Sequence, residues 1–320
     1  MQLYLAPLQG FTDRVFRNSY FRFFSGFDCA MAPFISALQL GHCKKKELMD
    51  VLPEHNGLMK VIPQIMGNDP SDFAVVANLL FDMGYPSVNW NLGCPYKMLT
   101  KKKKGSGLLC YPERVEDFLD RVFPLMKTRL SIKMRLGLHD KGEILALMPI
   151  LNRYTLDEIT IHPRTGAQMY EGGVDLDAFG DACAMSRHTI VYNGDIRSRE
   201  DFERISARFG FIERWMIGRG VLADPFLPMT IKGECDRVSD KIKTIKQFHD
   251  DYYQERLDYL SGPAHVTDRM KAFWSYLAPS LEGGTDFFKQ VKKVKTPEHY
   301  TSVVENFFER GTCWNGPSGI

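Results

Sequence analysis

The chain has 320 residues, of which 44% are hydrophobic and 25% charged, as in an ordinary globular protein with a large core. Its formal net charge of only +2 gives almost no argument for a nucleic-acid partner from overall charge, so such an argument must rest on local clusters. The seven cysteines include no C-x-x-C pair, which argues against a zinc site or a disulfide framework and favours reduced thiols.

Eight short apolar runs rich in β-type residues recur along the first two thirds of the chain. Helix-like segments separate most of them, and clear helix starts occur at Asp69 before Pro70, at Pro112 and at Ser198. This alternation predicts an α/β fold, a (β/α)8 TIM barrel. A doubly wound open sheet would alternate similarly, but no G-x-G-x-x-G follows the first strand. The predicted strands are 2–8, 29–34, 60–66, 87–92, 130–136, 158–162, 189–193 and 214–218.

After Gly233 the β-type runs stop and the pattern becomes helical. The predicted helices are 241–260, 266–277, 285–293 and 297–309. We therefore predict a catalytic barrel over residues 1–235 and a small all-α helical bundle over 236–320, with a loose tail from Thr312. The apolar run at the N-terminus is too short for a signal peptide, and no stretch approaches a membrane span, so we expect a cytoplasmic protein.

Polar and charged residues stand at the carboxyl ends of the predicted strands, where barrel enzymes place their chemistry. Each has an ordinary alternative explanation, such as a core histidine or a capping asparagine, but their recurrence at seven strand ends favours one shared site. They are Gln9, Gln64, Asn89 and Asn91 with Cys94, Lys133 with Arg135, His162 with Arg164, residues 193–195 and residues 218–220.

Cys94 lies just past the strand 87–92 and is followed by four consecutive lysines at 101–104 and by a Gly-Ser-Gly turn. A thiol beside a loop that attracts polyanions indicates chemistry on a phosphorylated molecule. The alternative is a small buried thiol before an ordinary solvated loop.

The last two strand ends have the composition of a phosphate cradle. Glycines at 194, 218 and 220 allow backbone N–H groups to approach a phosphate closely, and Arg219 adds a positive charge. With an amide at Gln64 for a heterocycle edge and Lys133 to stabilise charge on a reduced ring, this predicts a phosphorylated, planar, polar cofactor.

These motifs together resemble the tRNA-dihydrouridine synthases, and the resemblance covers the whole chain. Segment 265–277 is similar to the tRNA-binding domain of that family. The motifs are APLQGFTD at 6–13, Gln64, NLGCP at 91–95, GSG at 105–107, KMR at 133–135, HPRT at 162–165, NGDI at 193–196 and GRG at 218–220.

The resemblance implies FMN as cofactor, NADPH as electron donor and uridine in the tRNA D-loop as substrate, whose C5–C6 double bond is reduced with Cys94 as general acid. It places the FMN contacts on Pro7, Leu8, Gln9, Gln64, Lys133, His162, Asn193, Gly194, Asp195, Gly218 and Arg219. We expect a flipped uracil to be held by Asn91 and Arg164, together with His162, and RNA phosphates by Lys101, Lys102, Lys103 and Lys104. We also expect a monomer without a metal.

Three other functions stay open on sequence alone. One is an FMN-dependent barrel acting on a free pyrimidine or another small unsaturated substrate. The second is a lyase that uses Lys133 as a Schiff-base nucleophile, and the third is a non-catalytic tRNA-binding module.

Overall fold

The computed structural model describes residues 1–39, 42–234, 240–259 and 262–317. At its centre, ten strands form one parallel sheet that curls round on itself. The strands are β1 (Gln2–Leu5), β2 (Cys29–Met31), β3 (Ile35–Ser36), β4 (Val61–Ile62), β5 (Gln64–Met66), β6 (Ser87–Leu92), β7 (Arg129–Gly137), β8 (Leu156–Thr165), β9 (Ile190–Asn193) and β10 (Arg214–Ile217).

The sheet closes into a barrel through the segment that carries β4 and β5. β4 pairs with β2, and β5 pairs with β3 and β6. Ala32 N–H donates to the Ile62 carbonyl, and Asn89 N–H donates to the adjacent Pro63 carbonyl, so this segment bridges both neighbours. Because β1 pairs with both β2 and β10, the eight predicted strands form a closed ring, and the predicted TIM barrel is confirmed.

Proline residues explain where the observed strands differ from the predicted ones. Pro63 lies between β4 and β5 and divides the predicted strand 60–66 in two. Pro33 lies between β2 and β3, so the strand predicted at 29–34 ends at Met31, and β3 follows outside the predicted bounds. Proline has no N–H to donate to a neighbouring strand. The first strand ends at Leu5, before Pro7, and not at residue 8 as predicted.

Helices surround the barrel, and the predicted helix starts are confirmed. The Asp69 carboxylate accepts from Asp72 N–H, Ser198 accepts from Asp201 N–H, and Pro112 is the first residue of its helix. The helices are α1 (Arg14–Phe23), α2 (Lys45–Met49), α3 (Pro70–Asp82), α4 (Lys97–Thr100), α5 (Pro112–Val122), α6 (Glu143–Leu151), α7 (Leu176–Met185), α8 (Arg199–Arg208), α9 (Arg219–Ala223) and α10 (Leu227–Lys232).

The main core lies between the sheet and these helices. Trp90 of β6 stacks on Phe118 of α5 with ring centroids 3.9 Å apart, and Phe73 of α3 meets Phe118 edge-on. Because successive side chains of a strand point to opposite faces, Asn89 and Asn91 of the same strand lie on the inner side of the barrel. The strand alternation therefore turns polar residues towards the barrel axis.

The helical region consists of α11 (Lys241–Tyr259), α12 (Pro263–Leu277), α13 (Gly284–Lys293) and α14 (Pro297–Glu309). These match the predicted helices. The predicted domain boundary between residues 235 and 236 lies outside the described residues, as does Leu260, the predicted end of the first helix. Over the described ranges, the helices are too short or too polar for any of them to cross a membrane.

A buried hydrogen-bond chain joins three of these helices. A ring nitrogen of His249 on α11 lies 2.6 Å from the Tyr300 hydroxyl on α14, which accepts from Trp274 Nε1 on α12 at 2.8 Å. The other His249 nitrogen lies 2.9 Å from the Asp250 carboxylate. Because each polar group of this hydrogen-bond chain has a partner, the hydrogen bonds fix the three helices relative to one another.

The segment predicted to form a loose tail is partly held in place. Glu282 N–H donates to the Cys313 carbonyl at 2.9 Å, and Asn315 N–H donates to the Ser280 carbonyl at 3.0 Å. Trp314 packs against Phe226 with ring centroids 5.4 Å apart. An aromatic anchor therefore ties residues 312–315 to the fold, contrary to the prediction, and residues 318–320 lie outside the described part.

Candidate active site

A cavity of about 340 Å³ opens at the carboxyl ends of the strands. The structure brings most of the predicted site residues together around it, although they lie far apart in sequence. Those on its wall are Pro7, Leu8, Gln9, Asn91, Cys94, Lys133, His162, Asn193, Gly194, Asp195, Gly218 and Arg219. Gln64, Arg164 and the lysines at 101–104 do not line it.

Gln64 lies beneath the cavity and supports Asn91. Its side chain is fully buried, its Nε2 donates to Asn89 Oδ1 at 2.8 Å, and its Oε1 accepts from Asn91 Nδ2 at 2.7 Å. The contact with a heterocycle predicted for Gln64 would require these bonds to exchange. The structure shows a residue that orients Asn91.

Asn91 in turn holds the loop that presents Cys94. Asn91 Oδ1 accepts from Gly93 N–H at 3.0 Å and from Cys94 N–H at 2.9 Å. The Gly-Ser-Gly turn packs on the same residue, since Ser106 N–H and Oγ both donate to the Cys94 carbonyl, at 3.0 and 3.1 Å. A Cβ at Gly105, which has φ +58°, would lie 2.6 Å from that carbonyl oxygen. The turn therefore needs glycine to hold Cys94 at the cavity wall.

The Cys94 thiol is kept protonated by its surroundings. Burial raises the pKa of Cys94 above its usual value, although a backbone hydrogen bond and the charges of Arg135 and Lys133 act in the opposite direction. The cations that act on the thiol are thus those of β7 and not the four lysines at 101–104. A protonated thiol on a cavity wall is a potential proton donor.

Lys133 and Arg135 project from alternate positions of β7 into the cavity. Arg135 is buried and donates to the carbonyls of Gly93, Thr165 and Met169 at 2.6–3.0 Å. Among the described residues, Lys133 has neither a hydrogen-bond nor an ion-pair partner. Burial, reinforced by Arg135, lowers the pKa of Lys133 to about 7. An anionic ligand would supply the partner that this lysine lacks.

His162 is buried and neutral. Burial, reinforced by surrounding cations of which Arg135 and Lys133 are the strongest, lowers the pKa of His162 well below its usual value. Arg164 Nη1 lies 3.0 Å from His162 Nε2, and since arginine can only donate, Nε2 is the acceptor. The proton of the neutral ring is therefore on Nδ1. The histidine can offer this N–H to a ligand in the cavity.

Arg164, which we expected to hold the substrate base, lies behind His162. Its side chain is 0% exposed and forms an ion pair with Asp195, with both guanidinium Nη atoms at the carboxylate. Its Nη2 also donates to the Gly172 carbonyl at 2.6 Å. The geometry makes Arg164 an orienting residue for His162 and Asp195.

The ends of β9 and β10 form the opposite side of the cavity. Gly194 is enclosed, since a Cβ there would lie 2.9 Å from Val174 Cγ1. Asp195 follows with φ +40°, and its carboxylate lies 3.4 Å from Arg219 and 3.5 Å from Arg197. One carboxylate is thus shared among several arginines, which leaves an excess of positive charge for an anionic ligand.

The lysines at 101–104 lie in the segment that follows Cys94 and folds back to it at Ser106. This segment lies at the carboxyl ends of the barrel strands. Lys101 and Lys102 are exposed, whereas Lys103 and Lys104 are half-buried. Lys103 Nζ lies 4.4 Å from the centroid of the Tyr111 ring, a cation–π contact. The four lysines therefore differ in exposure and contacts, although the sequence predicted the same role for all of them.

The sequence placed Arg135 among the strand-end residues without giving it a role, and it did not point to Tyr170 or Tyr276, which also lie on the cavity wall. Arg135 shares a strand face with Lys133, and this spacing is the signal that could have given it a role at the cavity. Tyr170 lies in the loop after β8, with its ring 4.4 Å from the Arg219 guanidinium carbon, and Tyr276 comes from α12. Loop and helix residues of this kind carry no strand periodicity, so only the folded chain reveals them.

A metal centre finds no support in the described ranges, because no group of three or more His, Cys, Asp or Glu side chains there could hold a metal ion. The oligomeric state stays a prediction.

Comparison with known proteins identifies a family. A family model described as dihydrouridine synthase matches residues 4–310. The chain is 30% identical over 227 residues to tRNA-dihydrouridine synthase B of Pasteurella multocida, covering 71% of this chain and 67% of the relative. It is 26% identical to tRNA-dihydrouridine synthase B of Vibrio cholerae, covering 96% and 95%, and 25% identical to tRNA-dihydrouridine(16) synthase of Cupriavidus necator, covering 95% and 96%.

Solved structures with a similar fold are more distant in sequence. Histamine dehydrogenase from Rhizobium sp. 4-9 superposes with a TM-score of 0.55 at 12% identity, covering 78% of this chain and 49% of that one. The old yellow enzyme homologue from Zymomonas mobilis superposes with a TM-score of 0.52 at 10% identity, covering 76% and 91%. At such identities the likeness shows the barrel fold alone.

Proposed function

Since the chain belongs to the dihydrouridine synthase family, we propose that it reduces the C5–C6 double bond of a D-loop uridine in tRNA to 5,6-dihydrouridine. We propose FMN as its cofactor and NADPH as its electron donor. The observation that carries the proposal is that one cavity wall bears both the protonated thiol of Cys94 and Lys133, which has no hydrogen-bond or ion-pair partner within the described part of the chain. Because the proposed substrate is tRNA, we also propose that the protein acts in the cytoplasm.

The cavity suits FMN in charge and in shape. Lys133, Arg135, Arg197 and Arg219 all lie on its wall, whereas Asp195 already pairs with the buried Arg164. FMN carries a phosphate with about two negative charges at neutral pH. The phosphate would lie at residues 193–195 and 218–220, where glycines permit close approach, and Lys133 would face the ring.

The proton required at uracil C5 is available from Cys94 Sγ. When bound, FMN supplies the hydride that reduces uracil C6. Because burial raises the pKa of the thiol, Cys94 holds its proton at neutral pH and can release it to a carbon that becomes basic. Lys133 is close enough to affect this pKa and would stabilise the resulting thiolate.

The substrate base must leave the tRNA stack to enter this cavity. Asn91 and His162 would hold its polar edge, with His162 donating from Nδ1 and Arg164 fixing that tautomer. Asn91 already holds the Cys94 loop through its Oδ1, so binding the base and placing the acid depend on one residue. Lys101 and Lys102 would contact RNA phosphates near the mouth.

The substrate proposal is tested with purified protein, FMN and NADPH. Dihydrouridine is quantified and mapped by mass spectrometry after reaction with dihydrouridine-free tRNA, and in parallel with free uridine at the same concentration. We expect product at a defined D-loop position in tRNA and none above background from free uridine. Equal turnover of free uridine would favour the alternative, a barrel oxidoreductase for small pyrimidines.

A further inference from the structure

Two arginines of the helical region reach across to the loop after β1, residues 6–13, here called the β1 loop. Arg256 of α11 donates to both carboxylate oxygens of Asp13, at 2.7 and 2.8 Å, and its side chain is 1% exposed. Arg269 of α12 donates to the Gly10 carbonyl. Asp13 is also the N-cap of α1 and accepts from Phe16 N–H. The β1 loop is therefore attached to the helical region at two points.

The opposite side of the β1 loop lines the cavity through Pro7, Leu8 and Gln9. The loop is a compact turn, since Leu8 N–H donates to Thr12 Oγ1 at 2.8 Å and Thr12 N–H donates to the Leu8 carbonyl at 3.0 Å. A rigid turn transmits a shift of its outer side to its inner side. A movement of the helical region would thus change the cavity wall.

Close packing at Gly10 makes this coupling tight. Gly10 has φ +83°, and a Cβ there would lie only 2.9 Å from Arg269 Nη1. Beside it, Phe11 meets Tyr276 of α12 edge-on with ring centroids 5.4 Å apart, and both rings line the cavity. The helical region thus both braces the β1 loop and supplies part of the wall.

We propose that Arg256 and Arg269 are positioning residues for the β1 loop, so that cofactor affinity depends on how the helical region docks. The inference rests on the proposed binding of FMN. Coupling between two binding events is reciprocal, so FMN must in turn stabilise the docked helical region by the same factor. Arg256 and Arg269 act on the cofactor only through the loop.

Arg22 provides a matched control. It lies in the last turn of α1 and pairs with Asp251 and Glu255 of α11, at 2.8 and 2.9 Å. It therefore joins the same two helices as the Asp13–Arg256 pair, but at the end of α1 away from the β1 loop, and its side chain is 38% exposed. If FMN affinity depended only on how strongly the helical region is attached to the barrel, the Arg22 variant would weaken FMN binding too.

The experiment titrates FMN into the full-length apoprotein and follows quenching of flavin fluorescence. We expect Arg256→Gln and Arg269→Gln to raise the FMN Kd about tenfold, within the usual range of coupling between sites, and Arg269→Lys to recover part of the loss. Arg22→Gln should stay close to wild type. Unchanged affinity in the first two variants, or equal weakening in all three, would overturn the inference.

Hydrogen exchange on the wild-type protein tests the reciprocal effect without any substitution, and so keeps the inference testable if a variant fails to fold. We expect FMN to slow exchange in α12, and an unchanged rate there would contradict the coupling. A wild-type protein that binds no FMN would contradict the proposed function itself. FMN binding that is indifferent to Arg256 and Arg269 would contradict only their positioning role.

Discussion

At the cavity wall, single residues have pKa values shifted from those that they would have in water. Burial keeps Cys94 protonated and His162 neutral, and it brings the pKa of Lys133 to about 7. The surrounding barrel therefore supplies a proton donor, a neutral hydrogen-bond donor and a cation whose charge depends on a ligand. These three groups would suit the proposed reduction of a carbon–carbon double bond with a bound flavin.

The pKa of Lys133 makes FMN affinity depend on pH. Below its pKa of about 7 the lysine is charged, and above it the free protein carries a neutral amine. A ring atom that accepts a hydrogen bond from the charged lysine raises that pKa, so binding takes up a proton above neutrality and the FMN Kd should rise by up to about tenfold per pH unit. Fluorescence titrations between about pH 7.5 and 9 measure this, since the FMN phosphate has already lost its second proton there.

Lys133→Met is the variant that isolates this effect. It should bind FMN more weakly than wild type at pH 7, and its Kd should stay flat across the same pH range. A wild-type Kd that does not change with pH, or a variant that keeps the wild-type slope, would remove Lys133 from contact with the cofactor.

Most of the site residues predicted from the sequence line the cavity, but the sequence did not show which of them lie behind its wall. Gln64 and Arg164 stand at strand ends like their neighbours, yet hydrogen bonds to Asn91 and an ion pair with Asp195 hold them behind the wall. Strand periodicity assigns a side chain to a face of the sheet and does not specify its partners. Tyr276 comes from a helix far along the chain, so no local pattern could place it at the cavity.

Among the structural elements, the loop from Cys94 to Ser106 combines the proposed proton donor with the lysines. Since Lys101 and Lys102 are exposed and Lys103 packs on Tyr111, the two pairs should contribute differently to tRNA binding. Each phosphate contact contributes about one unit to the slope of log K against log salt concentration. Lys101→Ser with Lys102→Ser should flatten that slope by up to about two units and leave the modified position unchanged.

The matched control replaces Lys103 and Lys104 with serine. Binding of tRNA is measured by filter retention across a salt series for both double variants. If the second pair flattened the slope more than the first, exposure would not be the property that selects the contacts. If neither pair changed it, the segment would be an ordinary solvated loop.

The buried chain through Tyr300 sets the geometry of the helical region, so its loss should reduce stability. Tyr300→Phe leaves the buried side chains of His249 and Trp274 without a shared partner. The cost should be about 1–3 kcal/mol of unfolding free energy, measured by urea denaturation. Tyr253→Phe on the neighbouring α11 position is the control, because within the described residues its hydroxyl makes no hydrogen bond, and it should change stability little.

The presence of most helices and strands could be predicted from the sequence, whereas the residues at which they begin and end were predicted less well. The helix caps at Asp69 and Ser198 depend on local hydrogen bonds and were found where the sequence placed them. The strand interruptions at Pro33 and Pro63 depend on which neighbour pairs with each residue, which a single run of sequence does not show. The Trp314 contact that secures the predicted loose tail is with Phe226, far away in the chain.

In the molecule as a whole, the barrel and the helical region share the cavity. The barrel supplies the proposed cofactor and acid positions, while α12 supplies Tyr276 and the arginine that braces the β1 loop. The barrel was predictable because its strand alternation repeats along the chain. The attachment of the helices to the β1 loop was not, because it depends on contacts such as Arg256 with Asp13 between segments far apart in sequence.

The most direct test of the proposed reaction measures dihydrouridine formed in tRNA by wild type and by Cys94→Ala, both loaded with FMN and supplied with NADPH. We expect the variant to bind FMN and to be reduced by NADPH normally, but to form dihydrouridine roughly 10²–10⁴-fold more slowly, the usual contribution of a general acid. Cys110→Ala, another half-buried thiol that is not on the cavity wall, should match wild type. Dihydrouridine formation at the wild-type rate by Cys94→Ala would contradict the assignment of Cys94 as the proton donor.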